Sequence, residues 1–158
     1  MIHWTKELAV TLQTKTDNYT DQEKRNFNID YLKNLLSKIE QDNLIIDSSL
    51  QTTMEAVIND MPIKINDSKL NYKSQQLNKI TNLQTTIKQQ FNLVKKKHFS
   101  NQYLALGIAL GMCFGLPIAT AIGNVALGPA LGLPFGLGAG LLIGQRLDNK
   151  AAAENRVL

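Results

Sequence analysis

Glycine is missing from the first 106 residues of this 158-residue chain, and charge is missing from the 48 residues between His98 and Gln145. All ten glycines lie between Gly107 and Gly144, inside that uncharged run. A surface loop cannot be that long without charge, and the run is too long for the core of so small a soluble domain. The two absences exclude a uniformly globular chain. Cysteine is nearly absent as well: Cys113 stands alone in the apolar run, so no disulfide framework exists. It is expected to be a small buried hydrophobe.

Catalytic equipment is equally thin. His3 and His98 are the only histidines and lie far apart, and no nucleophile–base pair, metal cluster or phosphate-binding loop can be drawn. The carboxylates Asp17, Asp21 and Glu23 cluster where a helix begins, and dipole stabilisation explains them. No enzymatic activity, metal or cofactor is expected. The N-terminus, Met1 to Lys6, lacks a basic stretch followed by an apolar one. No secretory signal peptide is expected, and the N-terminal part is expected to stay in the cytoplasm.

The charge that is present is unevenly distributed. Residues 1–67 carry seven basic and eleven acidic side chains, whereas residues 68–97 carry seven lysines and no acid: Lys69, Lys73, Lys79, Lys88, Lys95, Lys96 and Lys97. That segment also lacks Arg, which argues against nucleic acid. A basic stretch beside an apolar one points instead to anionic lipid headgroups.

The apolar stretch is read as two membrane spans. One helix of 48 residues would run roughly 70 Å, far beyond a hydrocarbon core of ~30 Å. Gly123-Asn124 and Gly128-Pro129 supply turn chemistry near its middle. Spans at about 102–122 and 129–145 then form a hairpin within residues 98–146, followed by a polar cytoplasmic tail over 147–158. Lys95, Lys96 and Lys97 precede the first span, Arg146 and Lys150 follow the second, and the connection is uncharged. The positive-inside rule places both termini in the cytoplasm, with the five cations at the membrane surface.

Residues 1–97 read as a cytoplasmic helical domain, a bundle or coiled-coil-like set of helices, which makes the whole chain all-α. Thr20-Asp21-Gln22-Glu23 has the pattern of a capping box and opens a helix over about 20–41. Leu50, Met54, Val57 and Met61 mark a second, over about 47–61, with Asp47 or Ser48 as cap and Pro62 as stop. Leu70, Leu77, Ile80, Leu83, Ile87, Phe91 and Val94 form the stripe of a third, over about 67–97, starting near Asn66-Asp67-Ser68. This helix is expected to run on into the first span. Trp4, Leu8 and Leu12 fit a short helix at the start.

The glycines are ordered. Gly107, Gly111 and Gly115, continued by Ala119 and Gly123, step by four; so do Gly128, Gly132, Gly136, Gly140 and Gly144, with Gly138 alone off the line. Such a line forms a smooth groove that lets helices approach closely. Each step of four advances 400°, so the line drifts by ~40° per step and by roughly 160° from Gly128 to Gly144. A straight partner cannot follow all of it. Part of each ladder is therefore expected to close the hairpin and the rest to meet other copies, giving a homo-oligomer. Pro117 and Pro134 remove the bonds to Cys113 and Ala130 and are candidate hinges. Polar lining is scarce: Thr120 and Asn124 are the strongly polar side chains between Gln102 and Gln145, which disfavours a transporter.

With Arg146-Leu147-Asp148-Asn149-Lys150-Ala151 following the second ladder, residues 103–151 resemble bacterial glycine-zipper membrane proteins. The resemblance implies membrane insertion and self-association, and covers both pore-forming effectors and simple anchors. Two functions follow as expectations. In the first, the chain self-assembles as a membrane-disrupting or pore-forming effector or toxin controlled by its helical domain. In the alternative, the hairpin is an anchor and the helical domain docks a cytoplasmic protein partner.

Overall fold

The computed structural model describes residues 2–63 and 70–158. Among them the chain forms seven helices and no strand: α1 (Ile2–Thr16), α2 (Asp21–Asn26), α3 (Ile29–Gln41), α4 (Ser48–Asn59), α5 (Leu70–Phe91), α6 (His98–Ala121) and α7 (Leu127–Ala153). The fold is all-α, ending in a hairpin of two long apolar helices. The chain divides into two compact units, Met1–Leu93 with Leu158, and Val94–Val157.

In the first unit, apolar spacing builds a helical core. Leu8 and Leu12 from α1, Leu32, Leu35, Leu36 and Ile39 from α3, Leu50, Met54 and Val57 from α4, and Ile80, Leu83 and Ile87 from α5 are buried together. Each such side chain contributes about 1.5–3 kcal/mol when fully buried. Local chemistry sets the helix ends. Thr20 Oγ1 accepts from the Glu23 amide at 3.3 Å while the Glu23 carboxylate accepts from the Thr20 amide at 2.7 Å, completing the capping box. The Thr20 amide and hydroxyl hold the Glu23 carboxyl below its usual range. Asp47 caps α4 by accepting from the Leu50 amide at 2.7 Å.

Three differences from the sequence reading have physical causes. The segment 20–41 is two helices, because Asn28 adopts a left-handed conformation (φ 51°) between them. Phe27, Ile29, Tyr31 and Leu32 are all buried, and at 100° per residue no single helical face can hold all four. The turn at Asn28 brings Phe27 and Ile29 inside together. On α5 the buried line runs through Gln76, Ile80, Leu83 and Ile87, and Leu77 is only half-buried. Gln76 is accommodated because its Nε2 donates to the Val57 carbonyl at 2.6 Å. The start near Asn66-Asp67-Ser68 lies outside the described residues.

The third difference is that α5 stops at Phe91 and does not continue into the hairpin. Asn92 (φ 56°) and Lys97 (φ 60°) are both left-handed, and the Val94 amide donates to the Arg156 carbonyl at 2.9 Å instead of to a helical partner. Within the polar stretch 147–158 the chain is ordered by helix and turn. Helix α7 continues to Ala153, where Asn155 (φ 55°) ends it: the Arg156 amide donates to Ala151 and the Asn155 amide to Ala152. This is a Schellman closure with Asn in the left-handed position. Val157 then bridges Val94.

Leu35→Ala should cost about 2–5 kcal/mol, whereas Val10→Ala, on an exposed face of α1, should stay within about 0.5 kcal/mol. Thermal denaturation of the full chain followed by circular dichroism checks both, and equal effects would refute this core.

Candidate functional site

The hairpin places backbone against backbone. On α6 the buried positions are Ser100, Gly107, Gly111, Gly115 and Ala119; on α7 they are Gly128, Gly132, Gly140, Gly144 and Ala151, with Gly136 half-buried. Gly107 faces Gly136 and Gly140, Gly111 faces Gly132 and Gly136, and Gly115 faces Gly128 and Gly132. Gly140 continues the register onto the Tyr103 carbonyl and Gly144 onto Phe99 and Ser100. Each step of four along one helix is thus matched by a step of four back along the other. At all eight ladder glycines an added Cβ would come within 3.0 Å of an atom across the seam, closer than real Cβ atoms tolerate. For seven of the eight that atom is backbone; at Gly128 it is the end of the Leu116 side chain.

The seam uses eight of the nine period-four glycines within one chain, all but Gly123, where the sequence reading divided the ladders between the hairpin and neighbouring copies. Contact along a line that drifts the same way on both helices requires the two to coil around each other, right-handed for a repeat longer than 3.6 residues. A straight partner could not follow the line, as the drift predicts; a coiled one does. Gly123 has a different task. It adopts φ 82° with no atom near an added Cβ, and with the Asn124 amide donating to Ala119 and its own to Thr120 it closes α6 in a Schellman turn.

With glycine inside, the large side chains face out. Phe114 and Phe135 are 69% and 80% exposed, and Leu110, Ile118, Leu142 and Ile143 are exposed too. Only 22% of the most apolar window of each helix is buried, whereas a soluble core helix would be mostly buried. Cys113 is also exposed, contrary to the buried site expected for it, because position 113 lies off the line of Gly111 and Gly115. Pro117 and Pro134 fall on exposed positions within continuous helices. The Thr120 hydroxyl donates to the Pro117 carbonyl at 2.8 Å.

At the open end of the hairpin the ladder takes one further step, from Gly144 to Asp148. Its carboxylate accepts from the Phe99 and Ser100 amides, each at 2.9 Å, and from Ser100 Oγ at 2.5 Å. Helix α6 lacks a cap of its own, since the residue before it is Lys97 without a side-chain bond. Asp148 supplies that cap from the other helix and offsets the positive end of the α6 dipole. It lies beyond Arg146, outside the uncharged run. Burial pushes its carboxyl up, but the Ser100 hydroxyl, the two amides and the nearby His98 outweigh this and hold it below the usual carboxylate range. Sequence reasoning assigned no role to Asp148 or Ser100; continuing the four-residue step past Gly144 was the signal that would have found the first. Lys95, Lys96, Lys97, Arg146 and Lys150 are exposed at this same end of the antiparallel pair, with Lys150 in a loose 4.0 Å ion pair to Glu154. Among the described residues no group of His, Cys, Asp and Glu is arranged to hold a metal ion.

Compared with protein-family models, curated proteins and solved structures, the chain matches none of them.

The seam makes a paired prediction. Gly132→Ala should lower the melting temperature of the detergent-solubilised chain by forcing the helices apart. Gly138→Ala, with nothing near its added Cβ, should be neutral or raise stability by about 0.5–1 kcal/mol. The same loss at both positions would refute the seam.

A second prediction concerns pH. A carboxylate whose folded-state pKa is depressed adds stability above its unfolded pKa, near 4, and loses it as the pH falls through the folded value. The stability difference between wild type and Asp148→Asn should therefore be present throughout pH 7 to about 5 and shrink as the pH falls below about 4. A difference that persists undiminished at about pH 2 would overturn the role of the carboxylate.

Proposed function

We propose that this chain is a small integral protein of a bacterial inner membrane, whose hairpin anchors a cytoplasmic helical module that docks a partner protein. The observation that carries the reading is the inverted hairpin: backbone in the seam, Leu, Ile and Phe outside. In water, so continuous an apolar surface is an aggregation liability; in hydrocarbon it is the solvated surface. Bilayer also offers helical glycine no competing backbone partners, which offsets the poor helix propensity of the ladder. Helices of 24 and 27 residues extend roughly 36 and 40 Å, enough to cross a core of ~30 Å and reach its interfaces. Cations cluster at the open end and the turn is uncharged, which under the positive-inside rule puts the open end in the cytoplasm. For docking, the helical module offers a cleft of about 270 Å³ lined by Trp4, Ile39, Leu44, Ile45 and Ile46, beside the Lys6–Glu40 ion pair.

Self-association is a second reading, favoured by one observation. A groove of about 540 Å³, floored by Gly111, Gly115, Gly132 and Gly136, opens on the outer face of the hairpin and is flanked by the exposed rings of Phe114 and Phe135. Copies would meet through these rings, since the ladders are already occupied within each chain. A pore would need a polar path as well. The hairpin between His98 and Gln145 brings no charge to line one, and the Thr120 hydroxyl is engaged with its own backbone.

Alkaline extraction of membranes from expressing cells tests the first reading: the chain should remain in the pellet. Release into the supernatant would overturn it. For the second, sizing in detergent should give a monomer for a simple anchor. A larger species that dissociates in Phe114→Ala/Phe135→Ala would establish self-association, and collapse of the membrane potential on expression would restore the effector reading.

A further inference from the structure

The open end of the hairpin holds a groove of about 630 Å³ between the start of α6 and the last turns of α7, wholly within the second unit. Its lining is ordered along the helix axes. Leu104 and Leu141 line the end toward the apolar stretch; the amides of Asn101 and Gln145 follow; Lys96 and Lys97 stand at the other end, with Asn149, Ala152 and Val157 beside them. Apolar, then uncharged polar, then cationic is the order in which a phospholipid presents its acyl chain, its glycerol ester region and its phosphate.

The charges at the mouth are uncommitted. Asp148 also lines the groove, but the α6 amides and the Ser100 hydroxyl engage both of its oxygens. It therefore does not draw the lysines into ion pairs, and among the described residues neither Lys96 nor Lys97 forms one. The helix N-terminus is likewise already capped and is not the site. What remains is a pair of cations above an apolar floor. Lys97 is moreover held in a left-handed backbone conformation (φ 60°), an energetic cost for a residue with a Cβ.

We propose that this groove seats one anionic phospholipid, its phosphate between Lys96 and Lys97 and one acyl chain along Leu104 and Leu141. The proposal rests on the membrane reading above. An acidic peptide would match the lysines but could not follow the groove down to Leu104 and Leu141 without stranding backbone amides in hydrocarbon. Free phosphate would leave the apolar floor unused.

Native mass spectrometry of the full chain in detergent, titrated with phosphatidylglycerol, with phosphatidylcholine of the same chains, or with inorganic phosphate, tests this. The wild type should retain one phosphatidylglycerol in preference to phosphatidylcholine. Each lysine removed should weaken that retention by about fivefold, so Lys96→Gln/Lys97→Gln should abolish the preference. Lys150→Gln, a cation outside the groove, should keep it, and Leu141→Asn should weaken both lipids alike. Equal retention of the two lipids, or an unchanged preference in the double variant, would overturn the seat. Competition by inorganic phosphate would overturn the commitment to a lipid. Alkaline extraction of the same expressing membranes separates the two failures. A chain that stays in the pellet without lipid preference loses the seat but keeps the membrane reading, and a chain that is released loses both.

Discussion

Two helices whose backbones touch along most of their length impose one requirement on everything around them: no large side chain can stand along the line of closest approach. The eight ladder glycines meet it. The return is dispersion between closely approaching backbones and Cα–H···O contacts, each small and repeated at every turn. The cost is a run of poor helix formers, about 1 kcal/mol each relative to Ala in water. Because the interior is filled by backbone, most of the Leu, Ile and Phe of these helices are displaced outward. The apolar outer surface is therefore a consequence of the seam and not a separate design, and it belongs to two helices long and apolar enough to cross a membrane.

Asp148 extends the same logic to the end of the hairpin. Once the register brings Gly144 onto Phe99 and Ser100, the next step of four brings a carboxylate to the unsatisfied amides that open α6. Those amides would otherwise face a cluster of lysines at the positive end of the helix dipole, an unfavourable arrangement. One carboxylate satisfies them and leaves Lys96 and Lys97 unpaired. The chain can thus keep its cations at the hairpin mouth because the cap is supplied by the other helix.

How much of this was legible depended on the range of the interaction. Thr20-Asp21-Gln22-Glu23 and Asp47 act within four residues, and both caps form at the positions their patterns mark. The two apolar helices are equally legible, because an uncharged run of that length admits few alternatives. The break at Asn28 was not, since it is decided by burying Phe27 and Ile29 together, a tertiary demand invisible to a window on one helix. Leu77 and Gln76 exchanged importance for a similar reason: a polar side chain could be buried once the Val57 carbonyl was there to receive it. The end of α5 turned on Asn92 and Lys97, neither of which is a strong breaker by composition. In the hairpin the four-residue period and its drift were readable, and the helix pairing they would serve was not.

That last point bears on what the ladders can be asked to do. Pairing within a hairpin is intramolecular: a turn of five residues between α6 and α7 holds the two faces at a high effective concentration, millimolar or more for a short linker. The same glycine faces on separate chains would have to pair at the much lower concentration of separate molecules, and would first have to give up the seam. A ladder of this kind is therefore saturated by its own chain before a second copy arrives. The outward surface is left free of that pairing, and there Phe114 and Phe135 flank an opening onto the glycine floor. The feature that made the sequence look built for assembly closes the hairpin within one chain.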